Sequence, residues 1–530
     1  MLQHAHSRHL LAFASALSLL VVWRFRTIVR QRLTTKLSNL PGPKSDSLFT
    51  GNLSRIFKAQ TASLILEEYR EVFGPTFMYR GILNSYSLCT FDIRAIHHVL
   101  HSTAIYHKPY MVQKQLSILL GDGVLIAEDE QHRRQRRVMN PAFGNAQLRE
   151  LTEIFLETAT VLRDIWLAKT AEGPVVLDAY DWMSRATLDI IGKGGFGYEF
   201  NALSEHGARN ELSVAFNRVF SAGRHLTRMI RATIPILRLL PSRTEAEVRA
   251  ARATMDRIGL ELVEEKKRAL AAGEKGAGRD ILSLLIQANM DKELPEQLRM
   301  TDEEVLGQIP TFLVAGHETT ATAMSWCFFA LSQNIQAQDR LREELSRFEV
   351  ENPTMDQLNA LPYLDAVVRE TLRVYSVVPN TGRTAQQDDS IPLSTPYTDR
   401  NGRVCTEVKI TKGDRIFIPV IAMNRARDIW GDNHLLFRPE RWLDGVPANA
   451  MSLPGVLPGL LTFSTGPKNC IGYRFAMVEM KALLFQLVRH FRIELAVPAH
   501  DIISHSGSIV MRPFVQSAKQ KGMPVKLAAL

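Results

Sequence analysis

The chain has 530 residues, 45% of them hydrophobic and 22% charged, the balance of a globular protein with ample apolar material for a core. Its net charge of +9 admits contact with anionic membranes or acidic proteins. No zinc-finger spacing and no basic stripe interleaved with aromatics supports nucleic-acid binding. Four cysteines (Cys89, Cys327, Cys405, Cys470) spread over this length form no disulfide framework, and they place the globular part in a reducing compartment.

Residues 10–23 are mostly apolar and carry no charge, and Arg24, Arg26, Arg30, Arg32 and Lys36 follow at once. Such a run gives about 21 Å of helix against a hydrocarbon core of ~30 Å, a gap that snorkelling arginines and local thinning can close. The basic cluster directly after it favours a retained anchor over a cleaved signal peptide, with the following chain on the cytoplasmic side. The sequon at Asn52 would then stay unmodified. Pro41-Gly42-Pro43 reads as a stiff turn, so residues 1–40 are expected to be the membrane anchor with its basic flank and 41–530 a single globular domain.

Within that domain, helical periodicity predicts helices over 61–73, 147–166, 181–191, 245–270, 301–334, 364–375 and 475–490. Short β-like runs fall at 76–80, 86–92, 404–410 and 415–419. The expected fold class is mainly α with small β-sheets (α+β), because strands and helices do not alternate. Gly192-Lys-Gly194-Gly-Phe-Gly197 fits the G-x-G-x-x-G dinucleotide fingerprint, but it follows a helical pattern and has Asn217 where an acidic residue is needed. It reads as a helix terminus.

The 301–334 helix opens with Thr301 and Glu304, spaced as a capping box, and Pro310 should kink it or loosen one turn. It contains Ala315-Gly316-His317-Glu318-Thr319. Ala315 and Gly316 leave room against the backbone, and Thr319, four residues after Ala315, shares its face. Alone, this set is an acidic residue and a threonine on a buried helix, and His317 is a polar helix residue. Near the C-terminus stands Phe463-Ser-Thr-Gly466-Pro-Lys468-Asn-Cys470-Ile-Gly472. With no second cysteine nearby, tetrahedral zinc and iron–sulfur ligation are poorly served. That leaves a buried free thiol or a single thiolate on one axial position of a haem iron.

Together these segments resemble the cytochrome P-450 family across essentially the whole body from Pro41 onward. The resemblance implies haem b with Cys470 as iron ligand and with Phe463, Gly466, Lys468 and Gly472 forming the loop around it. Lys468 stands where the family has Arg or His. His132 and Arg136 match the family's W-x-x-x-R helix, with His132 in place of Trp. With Arg383 in Thr381-Gly-Arg383, they are expected at the haem propionates. By resemblance, Ala315, Gly316 and Thr319 receive O2, and Glu318 passes protons through water. Glu370, Arg373 and Arg441 are expected to form a structural charge network. Arg133, Arg134 and Arg137 read equally as a solvated face or as a docking patch for an acidic electron donor. Pocket walls are expected from Phe312, Leu313 and Val314, from Val377, Val378 and Pro379, from a loop over 106–125, and from 509–511. Residues 230–240 suggest either a membrane-dipping access segment or a plain buried turn.

The implied activity is insertion of one atom of O2 into a lipophilic small molecule, a terpenoid or other secondary metabolite. NADPH-derived electrons would come from a separate flavoprotein reductase, at the endoplasmic reticulum membrane. The rivals are a haem-thiolate isomerase or dehydratase, which needs neither O2 nor a proton relay, and a non-catalytic haem-binding sensor or carrier.

Overall fold

A computed structural model describes residues 34–58, 62–204, 210–212, 214–215, 243–273, 279–505 and 510–530. The apolar run 10–23, the 230–240 segment and Ile509 lie outside them. Among the described residues no helix is long and apolar enough to cross a membrane.

The described chain is helical with small sheets, as its patterning predicts, and it divides into two compact units. The first comprises the described part of Met1–Pro109 with Asn380–Pro419. It is built on a five-stranded sheet in the order Thr76–Arg80, Tyr86–Thr90, Arg415–Ile418, Thr381–Ala385, Tyr106–His107. Tyr86–Thr90 and Arg415–Ile418 pair in parallel; the other neighbours are antiparallel. Phe77, Ile416 and Ile418 are fully or almost fully buried in it, as aromatic and β-branched residues on a pleated surface should be, and Leu88 is buried with them. A separate hairpin joins Asp389–Thr398 to Val404–Ile410.

The second unit, Tyr110–Pro379 with Val420–Leu530, is mainly helical. Tyr473–His490 packs on Asn145–Thr170, where Phe475 meets Phe155 edge to face with ring centroids 4.7 Å apart. Ala179–Ile191 packs on Thr319–Gln333. The expected 106–125 loop is instead the short strand Tyr106–His107 followed by a helix, Tyr110–Leu120, which starts just after Pro109, where a missing N–H costs a helix nothing. Gly192–Phe196 continues the Ala179–Ile191 helix as one turn of π-type winding and stops at Gly197, with φ 61°. A Cβ at Gly192 would lie 2.5 Å from the Phe200 ring. These glycines therefore end a helix and open none, which removes the dinucleotide reading.

The charge network is present in full. Arg373 donates Nε–H and Nη2–H to the two oxygens of Glu370, both at 2.8 Å, and Arg441 Nε donates to Glu370 Oε1 at 3.0 Å. Glu370 also accepts from Trp442 Nε1 at 3.0 Å and Arg438 N at 2.9 Å, while Arg373 Nη1 reaches Asn424 O at 3.0 Å. Glu370 and Arg373 have no exposed surface, so the spare donors and acceptors must be filled as they are here. Asn424 then continues the network: its Oδ1 accepts from Leu461 N at 3.0 Å and its Nδ2 donates to Thr462 Oγ1 at 2.8 Å. The network thus runs to the residues that lead into the cysteine loop.

Candidate active site

The loop from Phe463 to Gly472 turns by placing Ser464 and Gly466 at φ 61° and 74°, and Gly466 needs the freedom glycine alone has there at no cost. The Cys470 N–H donates to Phe463 O at 2.9 Å and the Asn469 N–H to Gly466 O at 3.1 Å. Burial pushes the Cys470 thiol above its ordinary range, while the Gly472 N–H and the nearby Arg136 charge pull it back. Recessed as it is, Cys470 keeps an accessible surface, whereas Cys89 and Cys327 are fully buried.

Arg136, on the Asp129–Met139 helix, grips the loop through Asn469: Nη1 donates to its carbonyl and Nη2 to its side-chain oxygen, each at 2.8 Å. Asn469 went unnoticed in the sequence, where only its place beside Cys470 pointed to it. His132 is buried one turn earlier on that helix. Lys468 pairs with Glu128, just ahead of the same helix, and their side chains are only 4% and 12% exposed. Glu128 also accepts from Gln113 Nε2 at 3.0 Å. Cys470, Lys468, Arg136 and Glu128 are therefore brought together. Of the three remaining arginines, Arg134 is engaged with Glu304, while Arg133 and Arg137 are exposed.

Thr301 caps the Asp302–Leu313 helix, accepting from Glu304 N at 3.2 Å while Glu304 returns a bond to the Thr301 N–H at 3.0 Å. The helix is interrupted where the sequence places its motif: Asp302–Leu313 and Thr319–Gln333 are α-helical, and Val314–Glu318 winds as a wider π-type turn. The loosened turn expected of Pro310 therefore falls just beyond it, a frequent feature of functional helices. Phe312, Leu313 and His317 are buried while Ala315 is exposed, so the helix has one open face in a packed setting. Thr319 Oγ1 on that face donates to Ala315 O at 2.5 Å. A Cβ on Gly316 would lie 2.8 Å from Ile191 Cγ1 and Cδ1, so glycine lets the turn sit against the neighbouring helix. His317 Nδ1 donates to Leu313 O at 2.6 Å, and burial, reinforced by Arg512, holds its pKa down at about 4, so it is a neutral helix residue at physiological pH. Glu318 pairs with Arg512.

Arg383 lies in the first unit, 5% exposed in the Thr381–Ala385 strand, with Nη1 donating to Thr381 Oγ1 and Gly382 O, both at 2.8 Å. Burial lowers its pKa to about 10; burial and then the Arg383 charge lower that of Lys108 to about 7. The buried Arg383 guanidinium beside half-buried Lys108 suits an anionic group such as a carboxylate.

These residues fit a haem. The Cys470 thiol is recessed yet accessible, the Gly472 N–H and the Arg136 guanidinium beside it favour a thiolate against the effect of burial, and half-buried Arg136 is suited to a carboxylate group. Among the described residues, no three His, Cys, Asp or Glu side chains gather into a metal cage.

Comparison with known proteins agrees with this chemistry. The sequence pattern of the family described as Cytochrome P450 matches residues 41–514. Cytochrome P450 monooxygenase 205 of Postia placenta is 45% identical over 531 residues, covering 98% of this chain and 97% of the relative. Cytochrome P450 monooxygenase 128 of the same fungus is 46% identical over 509 residues, or 93% and 92% of the two chains. Cytochrome P450 monooxygenase claW of Ampulloclitocybe clavipes is 34% identical over 524 residues, 95% of each.

Proposed function

The chain belongs to the cytochrome P450 family and is a monooxygenase, and from that premise we propose that it hydroxylates or epoxidises a lipophilic terpenoid or similar secondary-metabolite scaffold. One observation carries the reading: on the open Ala315–Thr319 face Ala315 is exposed and Val314 and Gly316 are half-buried beside it, small apolar residues that offer a substrate few polar anchors. Substrate, O2, two electrons and two protons give one oxygenated product and one water. A bound haem supplies the activation of O2.

The protein's own residues have separable tasks. Cys470 would hold the iron, and Arg136, Arg383, His132 and Lys468 would serve the haem edge. The Thr319 hydroxyl, which now bonds the Ala315 carbonyl, can turn to donate to oxygen or to an ordered water. Glu318 would feed protons to that face. Electrons would come from NADPH through a separate flavoprotein reductase, for which exposed Arg133 and Arg137 offer complementary charge to an acidic partner. The apolar run 10–23 and the basic cluster after it support an endoplasmic reticulum anchor with the catalytic part in the cytosol.

The test is turnover of a terpenoid, sterol and fatty-acid panel under isotopically labelled O2, with reductase and NADPH. The expected outcome is a terpenoid product carrying one labelled oxygen, with none from Cys470→Ala, which also lacks the red-shifted Soret band of the reduced CO complex. Product without label would replace this reading with an isomerase or dehydratase. No substrate-dependent NADPH consumption across the panel would favour a haem-binding carrier.

A further inference from the structure

Glu318 closes the widened turn of the oxygen-side helix, and its carboxylate is paired with Arg512, the first residue of the Arg512–Val515 strand. The pair is largely removed from water, with side chains 12% and 10% exposed. The strand's approach is fixed independently of this pair. Trp326, farther along the same helix, donates Nε1–H to Met511 O at 2.7 Å, and Met511 N–H donates to Val377 O at 2.8 Å. The Trp326 ring in turn lies flat on Tyr375, with centroids 5.1 Å apart and planes 5° apart. Arg512 therefore enters from a strand tied to the helix it addresses. A planar guanidinium on such a mount restricts where a carboxylate can point.

We propose that Arg512 is a positioning residue for proton delivery: paired with Glu318, it fixes the carboxylate through which protons pass to the Ala315–Thr319 face. This rests on the reading of Glu318 as the proton donor. Thr319 lies next in the chain, so a displaced Glu318 would leave the hydroxyl in place but interrupt its supply. Oxygen that takes up two electrons and two protons leaves as hydrogen peroxide; with four of each it becomes two waters. The peroxide share of consumed NADPH therefore reports proton delivery without any knowledge of the substrate.

The experiment uses full-length holoenzyme with reductase, NADPH and air-saturated buffer, without added substrate, normalised to the reduced CO complex. Arg512→Gln should raise the peroxide share roughly threefold, well within the range that proton-transfer groups control, and enlarge the solvent deuterium effect on NADPH consumption. Arg512→Lys should restore at least half of the loss, because a cation on the same strand still reaches the carboxylate. Glu318→Gln should raise the peroxide share at least as far, and adding Arg512→Gln to it should change nothing more. If Arg512→Gln lowers only the melting temperature, or raises peroxide equally in the Glu318→Gln background, the positioning role is overturned while Glu318 keeps its own. If Glu318→Gln leaves peroxide and the isotope effect at parental values, the proton-donor reading falls, and this inference with it.

Discussion

Glu479 sits nine residues beyond Cys470 on the Tyr473–His490 helix with no exposed surface. Burial raises its carboxyl pKa well above the ordinary value, with the Thr320 hydroxyl opposing. The sign of the consequence follows from proton linkage. A group that holds its proton more tightly when folded contributes fully below its unfolded pKa, and that contribution is lost as pH rises toward the folded value. Each pH unit in which Glu479 is protonated folded but ionised unfolded lowers stability by about 1.4 kcal/mol. Glu479→Gln, neutral throughout, should flatten the decline in melting temperature between about pH 5 and pH 8 relative to the parent; parallel curves would show that Glu479 ionises when folded. At this scale the sequence exposes chemistry but hides partners. Cys470, Thr319 and Arg136 are legible because their neighbours along the chain form a pattern. Lys468 with Glu128 and Glu318 with Arg512 are not, because each pair closes between distant segments, and a lone arginine at a strand's start carries no local signal.

Helices show the same division one level up. The capping box of Thr301 and Glu304 is written in four consecutive residues, but Glu304 also accepts from Gln131 Nε2 at 3.1 Å and pairs with Arg134, joining the helix start to the Asp129–Met139 helix. Burial works against the Glu304 charge, yet the Thr301 N–H, Gln131 and Arg134 outweigh it and lower its pKa. A lowered carboxylate pKa stabilises above the unfolded value, and that stabilisation is lost as pH falls through the folded one. Thr301→Ala should therefore cost about 1 kcal/mol at neutral pH. Glu304→Gln should be less stable than the parent at neutral pH and converge on it below about pH 4 in urea titrations. An equal gap at both pH values would mean that the charge contributes nothing to the junction. The helix itself was foreseeable over 301–334 from its apolar period, and the strands Thr76–Arg80 and Val404–Ile410 stand at their expected bounds. The place of the widened turn, at Val314–Glu318 and not at Pro310, and the short strands from Phe491 onward were not, since neighbours in space decide them: Gly316 against Ile191 in one case, and pairing of Phe491–Leu495 with Pro524–Ala529 in the other.

Across the second unit, one set of bonds runs from the buried charges to the cysteine loop and divides at Asn424. Upstream, Glu370, Arg373 and Arg441 are buried charges that satisfy one another, and removing one partner of such a set typically costs about 3–5 kcal/mol. That is a large fraction of the ~5–15 kcal/mol that keeps a domain folded. Downstream, Asn424 passes the network to Leu461 and Thr462, and so to the loop that ends in Cys470. Two substitutions separate these functions. Arg441→Met removes a partner of Glu370 but leaves the Arg373 and Asn424 bonds, so it should lower the melting temperature sharply while the folded fraction releases haem at the parental rate. Asn424→Ala keeps the Glu370–Arg373 and Glu370–Arg441 pairs but removes the acceptor of the Leu461 N–H and one donor to Thr462 Oγ1, which still donates to Leu372 O at 2.7 Å. It should speed haem transfer to apomyoglobin more than its melting temperature would suggest. If both variants lose haem in proportion to their loss of stability, the loop is held by the packing around it and not by this chain of bonds.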